Sequence, residues 1–298
     1  MIPHHSTSDL ILDSGALSIW DREKGPIFWY ALGVPGPFYL NTELMIGREL
    51  SVRILTKIDA ILAESADPST RAHHIEKTIL AAYSDKSAYH RIVSALADKA
   101  REIFPPRSYT LVSGGERRDW LFSIPFAHEI GVRHLFLFKD QSSYCKESVH
   151  KDEHVLHVAD LINNAASYFD NWLPMLTRLE THCVGTAAVN VRGEEGQKRL
   201  SEAGCKIAAL NIIDAAFFDE CRNQGLIDEA TRDELTLFLK SNSEWASRYL
   251  MDRPELFETK NIDAKSRARL KSFFAKDPWN LRPAHEDFFR TMLEKIGD

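Results

Sequence analysis

Three short polar segments of the sequence carry residue types that bind anions or sugars. The first is Ser113-Gly114-Gly115-Glu116-Arg117-Arg118-Asp119. Its glycines allow a sharp turn with exposed N–H groups, and its arginines are donors suited to phosphate. Its carboxylates can hold Mg²⁺ through water or position the arginines. A tight turn followed by a helix cap at Asp119, with solvated arginines, explains the same residues, so both interpretations stay open.

The second segment runs from His154 to Ser167 and places a carboxylate at the end of an apolar strand. Small polar residues then open a helix, which would aim the N–H groups of residues 163–167 and the Ser167 hydroxyl at a phosphate. Asp160 would accept hydrogen bonds from sugar hydroxyls. Plain N-capping by Asn163 or Asn164 is the competing interpretation.

The third segment runs from Asn190 to Gly196 and contains Arg192 just after a strand. An arginine at this point can grip a planar anionic group through two parallel hydrogen bonds. The competing interpretation is a surface arginine paired with Glu194 or Glu195, which would contribute little.

A histidine cluster, His150, His154 and His157 with Cys145 nearby, raises the question of a metal site. Converging these ligands would require helical spacing, but HVLHV has the pattern of a strand. Since successive strand residues point to opposite faces, His154 and His157 would diverge. We therefore expect solvated loop histidines and no structural metal.

Composition limits the class of protein. The chain has 298 residues, of which 44% are hydrophobic and 27% are charged, and this composition is typical of a globular protein. Its net charge of -6 argues against a protein that binds nucleic acid through a basic face. The four cysteines lie far apart with no CxxC pair, so neither a zinc ribbon nor a disulfide framework is indicated. No apolar run approaches ~18 residues and no secretory signal is evident, so we expect a cytoplasmic protein without membrane partners.

The segments between the polar loops alternate between strand and helix patterns. Strands are predicted in SYTLVS, HLFLF, HVLHVAD, CVGTAAVNV and KIAALNII, and helices in WLFSIPFAHEIG, NNAASYFDNWLPMLTRLE and EGQKRLSEAG. GGERRD is interpreted as a loop and QSSYCKESVHKDE as a mobile loop. This alternation predicts an α/β fold with a mostly parallel sheet and helices on both faces. Ligands of such sheets bind outside the carboxyl ends of the strands, where the three polar segments lie.

Further elements flank this α/β core. The first forty residues predict short strands and turns, and three helices follow, the last ending at Pro105. Beyond Asp214 the sequence predicts amphipathic helices in FFDECRNQGLI, DEATRDELTLFLKSNSEWASRYLM, AKSRARLKSFFAKD and AHEDFFRTMLEKIG. We divide the chain into an N-terminal hood and base-site segment (1–66), the core (67–215) and a C-terminal helical extension (216–298). The extension is interpreted as packing or as a subunit interface.

From roughly Gly33 to Asp214, the order and spacing of these segments resemble the type I phosphoribosyltransferases, and in particular the orotate phosphoribosyltransferases. GPFYLN resembles the family's S-P-Y-F-F-N segment near the base, and SGGERRDWLFSIPFAHEIGV its pyrophosphate loop and following helix. HLFLFKD is similar to the strand before the catalytic loop. HVLHVADLINNAAS resembles the phosphoribosyl diphosphate motif, and VNVRGEEG resembles D-R-x-E-x-G.

The resemblance implies a reaction in which phosphoribosyl passes from phosphoribosyl diphosphate to a nitrogenous base, orotate or a related one, in pyrimidine nucleotide biosynthesis. It implies Mg²⁺, held mainly by the diphosphate and waters, and a homodimer. The implied catalytic residues are Asp160 at the ribose hydroxyls, Lys139 at the diphosphate, and Lys146. The implied substrate-binding residues are Ser113, Gly114, Gly115, Glu116 and Arg117 for the diphosphate, Asn163, Asn164, Ala165, Ala166 and Ser167 for the 5-phosphate, and Arg192, Tyr39 and Leu40 for the base.

The sequence departs from the family's motifs at several positions. Ala159 replaces the first of two paired acids, and Asn163-Asn164-Ala165 replaces Thr-Thr-Gly, which adds a Cβ beside the phosphate and removes two hydroxyl donors. Ser142 stands where the family has its catalytic-loop lysine, so Lys146 or Lys151 is expected to substitute. Two functions therefore remain open: a phosphoribosyltransferase, or a non-catalytic protein on the same fold that senses a nucleotide or phosphoribosyl diphosphate. No hydrolase or kinase motif is present.

Overall fold

The structure is a computed structural model that describes residues 11–23, 27–30, 33–83, 88–257 and 264–297. Contacts between Cα atoms divide the chain into two compact units. Unit 1 comprises the residues up to Ala16 together with Asn41–Ile213, and unit 2 comprises Leu17–Leu40 and Asp214–Asp298. Residues 41–66, which were expected in the N-terminal hood, thus belong to the same unit as the α/β core. The three-part division itself stays a prediction.

The elements are numbered along the chain. The strands of the described residues are β1 (Leu17–Ile19), β2 (Phe28–Trp29), β3 (Pro35–Gly36), β4 (Phe38–Leu40), β5 (Leu111–Gly115), β6 (Arg133–Leu137), β7 (Ser143–Cys145), β8 (His154–Ile162), β9 (His182–Arg192) and β10 (Lys206–Ile213). The α-helices are α1 (Arg48–Glu64), α2 (Pro68–Tyr83), α3 (Ala88–Ile103), α4 (Trp120–Ile130), α5 (Leu173–Arg178), α6 (Glu195–Glu202), α7 (Ala215–Asn223), α8 (Glu229–Lys240), α9 (Asn242–Tyr249), α10 (Ala264–Lys276) and α11 (Glu286–Gly297). None of the helices in these described ranges is long and apolar enough to span a membrane.

Unit 1 is built on a sheet with the strand order β10-β9-β8-β5-β6-β7. Every neighbouring pair is parallel except β6 and β7, which are antiparallel. Helices α3, α4, α5 and α6 pack against its strands, and the central strands are buried and apolar, as is usual for a covered parallel sheet. The predicted α/β fold with a mostly parallel sheet is confirmed.

The segment QSSYCKESVHKDE, predicted to be a mobile loop, contains strand β7. Its backbone pairs with the outer edge of β6, where Leu137 lies opposite Ser143 and Leu135 opposite Cys145. An edge strand that follows a short turn finds unpaired N–H and C=O groups beside it, so even a polar, aperiodic segment can pair there. The loop prediction was therefore wrong for these three residues.

Unit 2 contains the antiparallel pairs β1–β4 and β2–β3 together with helices α7 to α11. Its core includes a buried carboxylate, Glu234, whose Oε1 accepts hydrogen bonds from the indole N–H groups of Trp20, at 2.6 Å, and Trp245, at 2.9 Å. Arg22 lies 3.3 Å from the other carboxylate oxygen. The helix predicted over residues 228–251 is interrupted at Ser241, whose hydroxyl accepts from the Glu244 N–H and starts α9.

Candidate functional site

A cavity of about 450 Å³ opens in unit 1 beyond the carboxyl ends of β5, β6 and β8. This is the edge of a parallel sheet at which ligands bind. The cavity is lined by Glu116, Arg117, Arg118, Asp119, Lys139, Ala159, Asp160, Leu161, Asn163, Asn164, Ala165, Ala166, Ser167, Tyr168, Asn171 and Trp172. The first and second polar segments, which are separated by 34 residues in the sequence, thus form one site.

The beginning of the first segment is strand rather than loop. Strand β5 continues through Gly114 and Gly115, which pair with Phe136 and Leu137 of β6. Ser113, Gly114 and Gly115 are buried and lie outside the cavity lining, so the expectation that they face the diphosphate was wrong. Only the residues from Glu116 onward reach the cavity.

Close packing explains why these positions are small. A Cβ on Gly115 would lie 2.3 Å from the ring of Trp172, so the indole can pack directly on the strand backbone only because the residue is glycine. The Ser113 hydroxyl lies 2.9 Å from Nδ1 of His157 inside the unit. The Gly-Gly pair therefore makes room for a side chain of the cavity wall rather than forming a turn.

The arginines of the first segment are held by carboxylates on neighbouring elements. Arg117 forms an ion pair of 3.0 Å with Asp59 of α1, and Arg118 forms one of 3.2 Å with Glu43 of the 3-10 helix Thr42–Ile46. Both guanidinium groups remain at the cavity wall. The interpretation of these arginines as merely solvated does not hold.

The two predicted catalytic lysines lie in different places. Lys139 lines the cavity, its side chain is exposed, and within the described residues it forms no ion pair. Lys146 lines another cleft, together with His128 and Cys145, and Lys151 lies 3.2 Å from Glu180. Strand β7 fixes the chain just before Lys146, so neither lysine reaches the cavity in this structure, and Lys139 is the lysine that does.

The predicted phosphate loop lies between β8 and a helical segment that includes a π-helical turn over Tyr168–Trp172. Ala165 adopts a left-handed backbone conformation with φ of 57°, at the position where the resembled motif has glycine. The Asn164 side chain accepts a hydrogen bond of 3.1 Å from the Ala166 N–H, so this donor is already satisfied within the loop. This bond closes an Asx turn and does not cap the helical turn, whose N-cap is Ser167, so the capping interpretation does not hold for Asn164. The Ser167 side chain stays exposed at the cavity.

The third polar segment packs against this loop. The Gly196 N–H donates to the Asn163 carbonyl at 3.0 Å, and a Cβ on Gly196 would lie 2.2 Å from that oxygen. Arg192 Nε donates to the Asn163 side chain at 3.4 Å, and Arg199 donates to the Asn164 carbonyl. Arg192 thus contacts the cavity wall through Asn163.

No protein-family profile and no curated protein matches the sequence. Among solved structures, the UMP synthase of Leishmania donovani is similar, with a TM-score of 0.56 and 10% identity over 78% of this chain and 41% of that one. The orotate phosphoribosyltransferase of Francisella tularensis has a TM-score of 0.52 and 12% identity, over 78% of this chain and 96% of that one.

The chain has the type I phosphoribosyltransferase fold, of the orotate kind. It spans well under half the length of the UMP synthase. The segments after β5 and β8 lie where the sequence resemblance places the pyrophosphate loop and the phosphoribosyl diphosphate motif, and their roles stay predictions. Of the residues expected to contact the base, Arg192 belongs to unit 1, whereas Tyr39 and Leu40 lie in β4 of unit 2, so their common role stays a prediction.

The segment after β5 ends in a carboxylate, Asp119, that was not among the predicted site residues. Asp119 stands directly before α4, but its side chain does not cap that helix. Its Oδ1 accepts from the Asp160 N–H at 2.9 Å and its Oδ2 from the Gly115 N–H at 3.1 Å. Asp119 therefore joins the ends of β5 and β8. The sequence did not indicate this link, because an aspartate directly before a helix is typical of an N-cap.

The charge of Asp119 acts on its neighbour. Burial raises the pKa of the Asp160 carboxyl well above its usual value, and the charge of Asp119 raises it further, whereas Arg118 lowers it. Asp160 faces the cavity as predicted. The pair of carboxyl groups consequently holds a proton more readily than an isolated aspartate would.

The histidines do not form a metal site. Within the described residues, no group of three or more His, Cys, Asp and Glu side chains is placed to hold a metal ion. His154 is exposed, whereas His157 is 1% exposed and lies 3.6 Å from Asp119. The two side chains diverge as the strand pattern predicts, but the expectation that all three histidines are solvated was wrong for His157, because β8 is covered by Tyr168 and Trp172.

Proposed function

We propose that the protein binds phosphoribosyl diphosphate in this cavity and transfers its phosphoribosyl group to a nitrogenous base of the orotate type. The observation that carries the proposal is the meeting of Lys139, Asp160 and the loop 163–167 in one cavity at the carboxyl ends of parallel strands. A cation, a sugar-binding carboxyl and a phosphate-sized loop are the groups that this ligand requires.

Each part of the cavity has a chemical task in the proposed reaction. Loop 163–167 and the Ser167 hydroxyl bind the 5-phosphate, Asp160 binds ribose hydroxyls, and Lys139 with Arg117 faces the diphosphate. A nitrogen lone pair of the base forms a bond to the anomeric carbon, the bond from that carbon to diphosphate breaks, and diphosphate leaves with the electron pair. The base releases its N–H proton to solvent. Fixed cations near the departing oxygens favour this step because they need no reorganisation as charge develops.

Mg²⁺ is part of the proposal and fits the donors of the site. The ion prefers oxygen ligands, keeps several waters, and binds through one or two carboxylates together with substrate phosphates. Glu116 supplies such a carboxylate at the cavity wall, and the diphosphate would supply the other oxygens. When bound, the ion would neutralise part of the diphosphate charge, while the protein's residues hold the sugar.

We further propose that Arg192 recognises the base, that the protein acts as a homodimer, and that its task is pyrimidine nucleotide biosynthesis in the cytoplasm. The resemblance of the base-site segment and of VNVRGEEG to the orotate enzymes supports the base assignment. The names of the two similar structures, a UMP synthase and an orotate phosphoribosyltransferase, support the assignment to pyrimidine nucleotide biosynthesis.

A second function, binding of phosphoribosyl diphosphate without turnover, is favoured by a specific observation. In the phosphate loop, the Ala166 N–H is already bonded to Asn164, and the Cβ of Ala165 stands where the resembled motif has none. In addition, Lys146 lies in another cleft. The two loop features weaken the hold on a phosphate, and the position of Lys146 removes a catalytic group from the cavity. Lys139, Asp160 and Ser167 still line the cavity, so binding without turnover is the behaviour expected of a sensor.

The experiment that tests the proposal is a thermal-shift titration with phosphoribosyl diphosphate and Mg²⁺, followed by a pyrophosphate-release assay over a panel of bases. Binding raises the melting temperature by mass action. We expect a shift that Asp160→Ala removes and that Asp98→Ala, a change at an exposed carboxylate of α3, leaves intact. Pyrophosphate release with orotate or a related base supports the transferase, and a shift without release for any base supports the sensor. No shift at millimolar ligand contradicts both.

A further inference from the structure

The carboxylate of Asp119 is placed unusually for a residue at a helix start. It leaves its own helix uncapped and instead accepts hydrogen bonds from the backbone of Gly115 and Asp160. Each carboxylate oxygen has two acceptor positions, so these bonds leave Asp119 able to accept from a ligand as well. Asp119 and Asp160 both line the cavity.

The motif position that would normally supply a second acid cannot do so in this chain. Ala159 is 2% exposed and belongs to the apolar core of the sheet. Ala159 also lines the cavity beside Asp160, but its methyl group offers no hydrogen-bonding atom to a sugar there.

We propose that Asp119 and Asp160 together bind the two neighbouring hydroxyl groups of a ribose ring, with Asp119 taking the place of the acid missing at Ala159. This inference rests on the proposed function, since it assigns the sugar end of the same ligand. It predicts a binding residue that comes from the helix α4 side of the cavity rather than from the strand that carries the motif.

The surroundings of the pair support this assignment. Behind Asp119, His157 is 1% exposed, and its Nε2 lies 3.6 Å from Oδ2 without a hydrogen-bond partner among the described residues. This buried imidazole nitrogen faces Asp119 from the interior of unit 1, and Asp119 and Asp160 both line the cavity. Two carboxyl groups that share one proton present a donor and several acceptors, and two adjacent hydroxyls present the complementary set.

The test compares three ligands by calorimetry: ribose 5-phosphate, 2-deoxyribose 5-phosphate and pyrophosphate. We expect the wild-type protein to prefer ribose 5-phosphate over the deoxy compound by about tenfold or more, as for one hydrogen bond to a charged group. In Asp119→Asn, we expect the affinities for the two sugar phosphates to lie within about twofold of each other, a difference smaller than the effect of one hydrogen bond. The affinity for pyrophosphate should change little. Asp98→Asn, the same charge change on the exposed surface of α3, should leave all three affinities unchanged.

The contrary outcomes are distinct. An unchanged sugar preference in Asp119→Asn overturns the inference, and an equal loss for all three ligands reduces Asp119 to a structural link. Should Asp119→Asn fail to fold, Asp119→Glu keeps the charge but displaces it by one methylene, and full wild-type preference in that variant likewise overturns the inference. Wild-type protein that binds none of the three ligands contradicts the proposed function as well, whereas wild-type protein that binds both sugars equally contradicts only the inference.

Discussion

The backbone N–H of Lys139 donates a hydrogen bond of 3.0 Å to the carboxylate of Glu116. This bond joins the chain just after β6 to the segment after β5, and both segments line the same cavity. The Lys139 side chain itself is exposed at the cavity. Within the described residues it has no ion-pair partner, which makes it the cation best placed to meet an incoming anion.

Replacing this lysine tests its role directly. We expect Lys139→Gln to weaken the binding of phosphoribosyl diphosphate by about ten- to a hundredfold, because a hydrogen bond to a charged group contributes about 1.5–3 kcal/mol. The matched control is Lys146→Gln, which changes a lysine of the other cleft and should bind as the wild type does. Calorimetry on both variants checks the prediction. Equal losses, or a larger loss in Lys146→Gln, would show that the loop carrying Lys146 closes over the cavity.

The left-handed conformation of Ala165 yields a second prediction. An alanine at a φ of 57° is strained by roughly 1 kcal/mol relative to glycine, although glycine also loses more entropy on folding. Ala165→Gly should therefore leave the free energy of unfolding unchanged or raise it by up to about 1 kcal/mol, and it should tighten phosphate binding by removing the Cβ. Denaturant unfolding and a phosphate titration measure the two effects. Ala166→Gly, one residue along the same loop, is the control, and equal gains there would argue against a special role for Ala165.

The strands that form this site could be predicted because strands buried on both faces have mostly apolar sequences. HVLHVAD and CVGTAAVNV are long, apolar and followed by polar residues, so strand, edge and loop were all identified. Asp160 was assigned to the cavity for the same reason. Order along the chain then sufficed for the parallel sheet, because alternating helices and strands have few other arrangements.

The parts that were missed depend on partners far away in sequence. Gly115 has the sequence pattern of a turn, yet its backbone is strand and its small size admits Trp172. Asp119 has the pattern of a helix cap, yet its acceptors are used by residues on two strands. In each case the local sequence pattern is compatible with two structural roles. Which role the residue has depends on how the strands and helices pack against each other.

Asp160 should destabilise the unliganded protein at neutral pH. Its pKa is raised in the folded state. Its favourable contribution to the free energy of unfolding is therefore complete when the pH is below the usual pKa near 3.8, and it is lost as the pH rises above that value. We expect Asp160→Asn to melt at a higher temperature than the wild type at neutral pH, with the difference shrinking as the pH falls toward 4. Scanning calorimetry across this range checks the sign. A neutral-pH melting temperature below that of the wild type would contradict it.

His134 predicts the opposite pH dependence. Burial lowers its pKa from 6.5 to about 3, with a smaller contribution from His157. Since the unfolded chain takes up the proton first, the free energy of unfolding should fall as the pH drops below 6.5, by about 1.4 kcal/mol per pH unit. Unfolding by urea at several pH values should show this slope in the wild type and its loss in His134→Gln. His154→Gln, at an exposed histidine of β8, should keep the wild-type slope.

The central claim is that one cavity at the carboxyl ends of β5, β6 and β8 holds a phosphorylated ribose, and a crystal structure with phosphoribosyl diphosphate and Mg²⁺ tests it most directly. We expect the 5-phosphate against residues 163–167, the ribose hydroxyls at Asp119 and Asp160, and the diphosphate toward Lys139. Ligand density at any other surface, or an empty cavity in crystals grown at millimolar ligand, would contradict it.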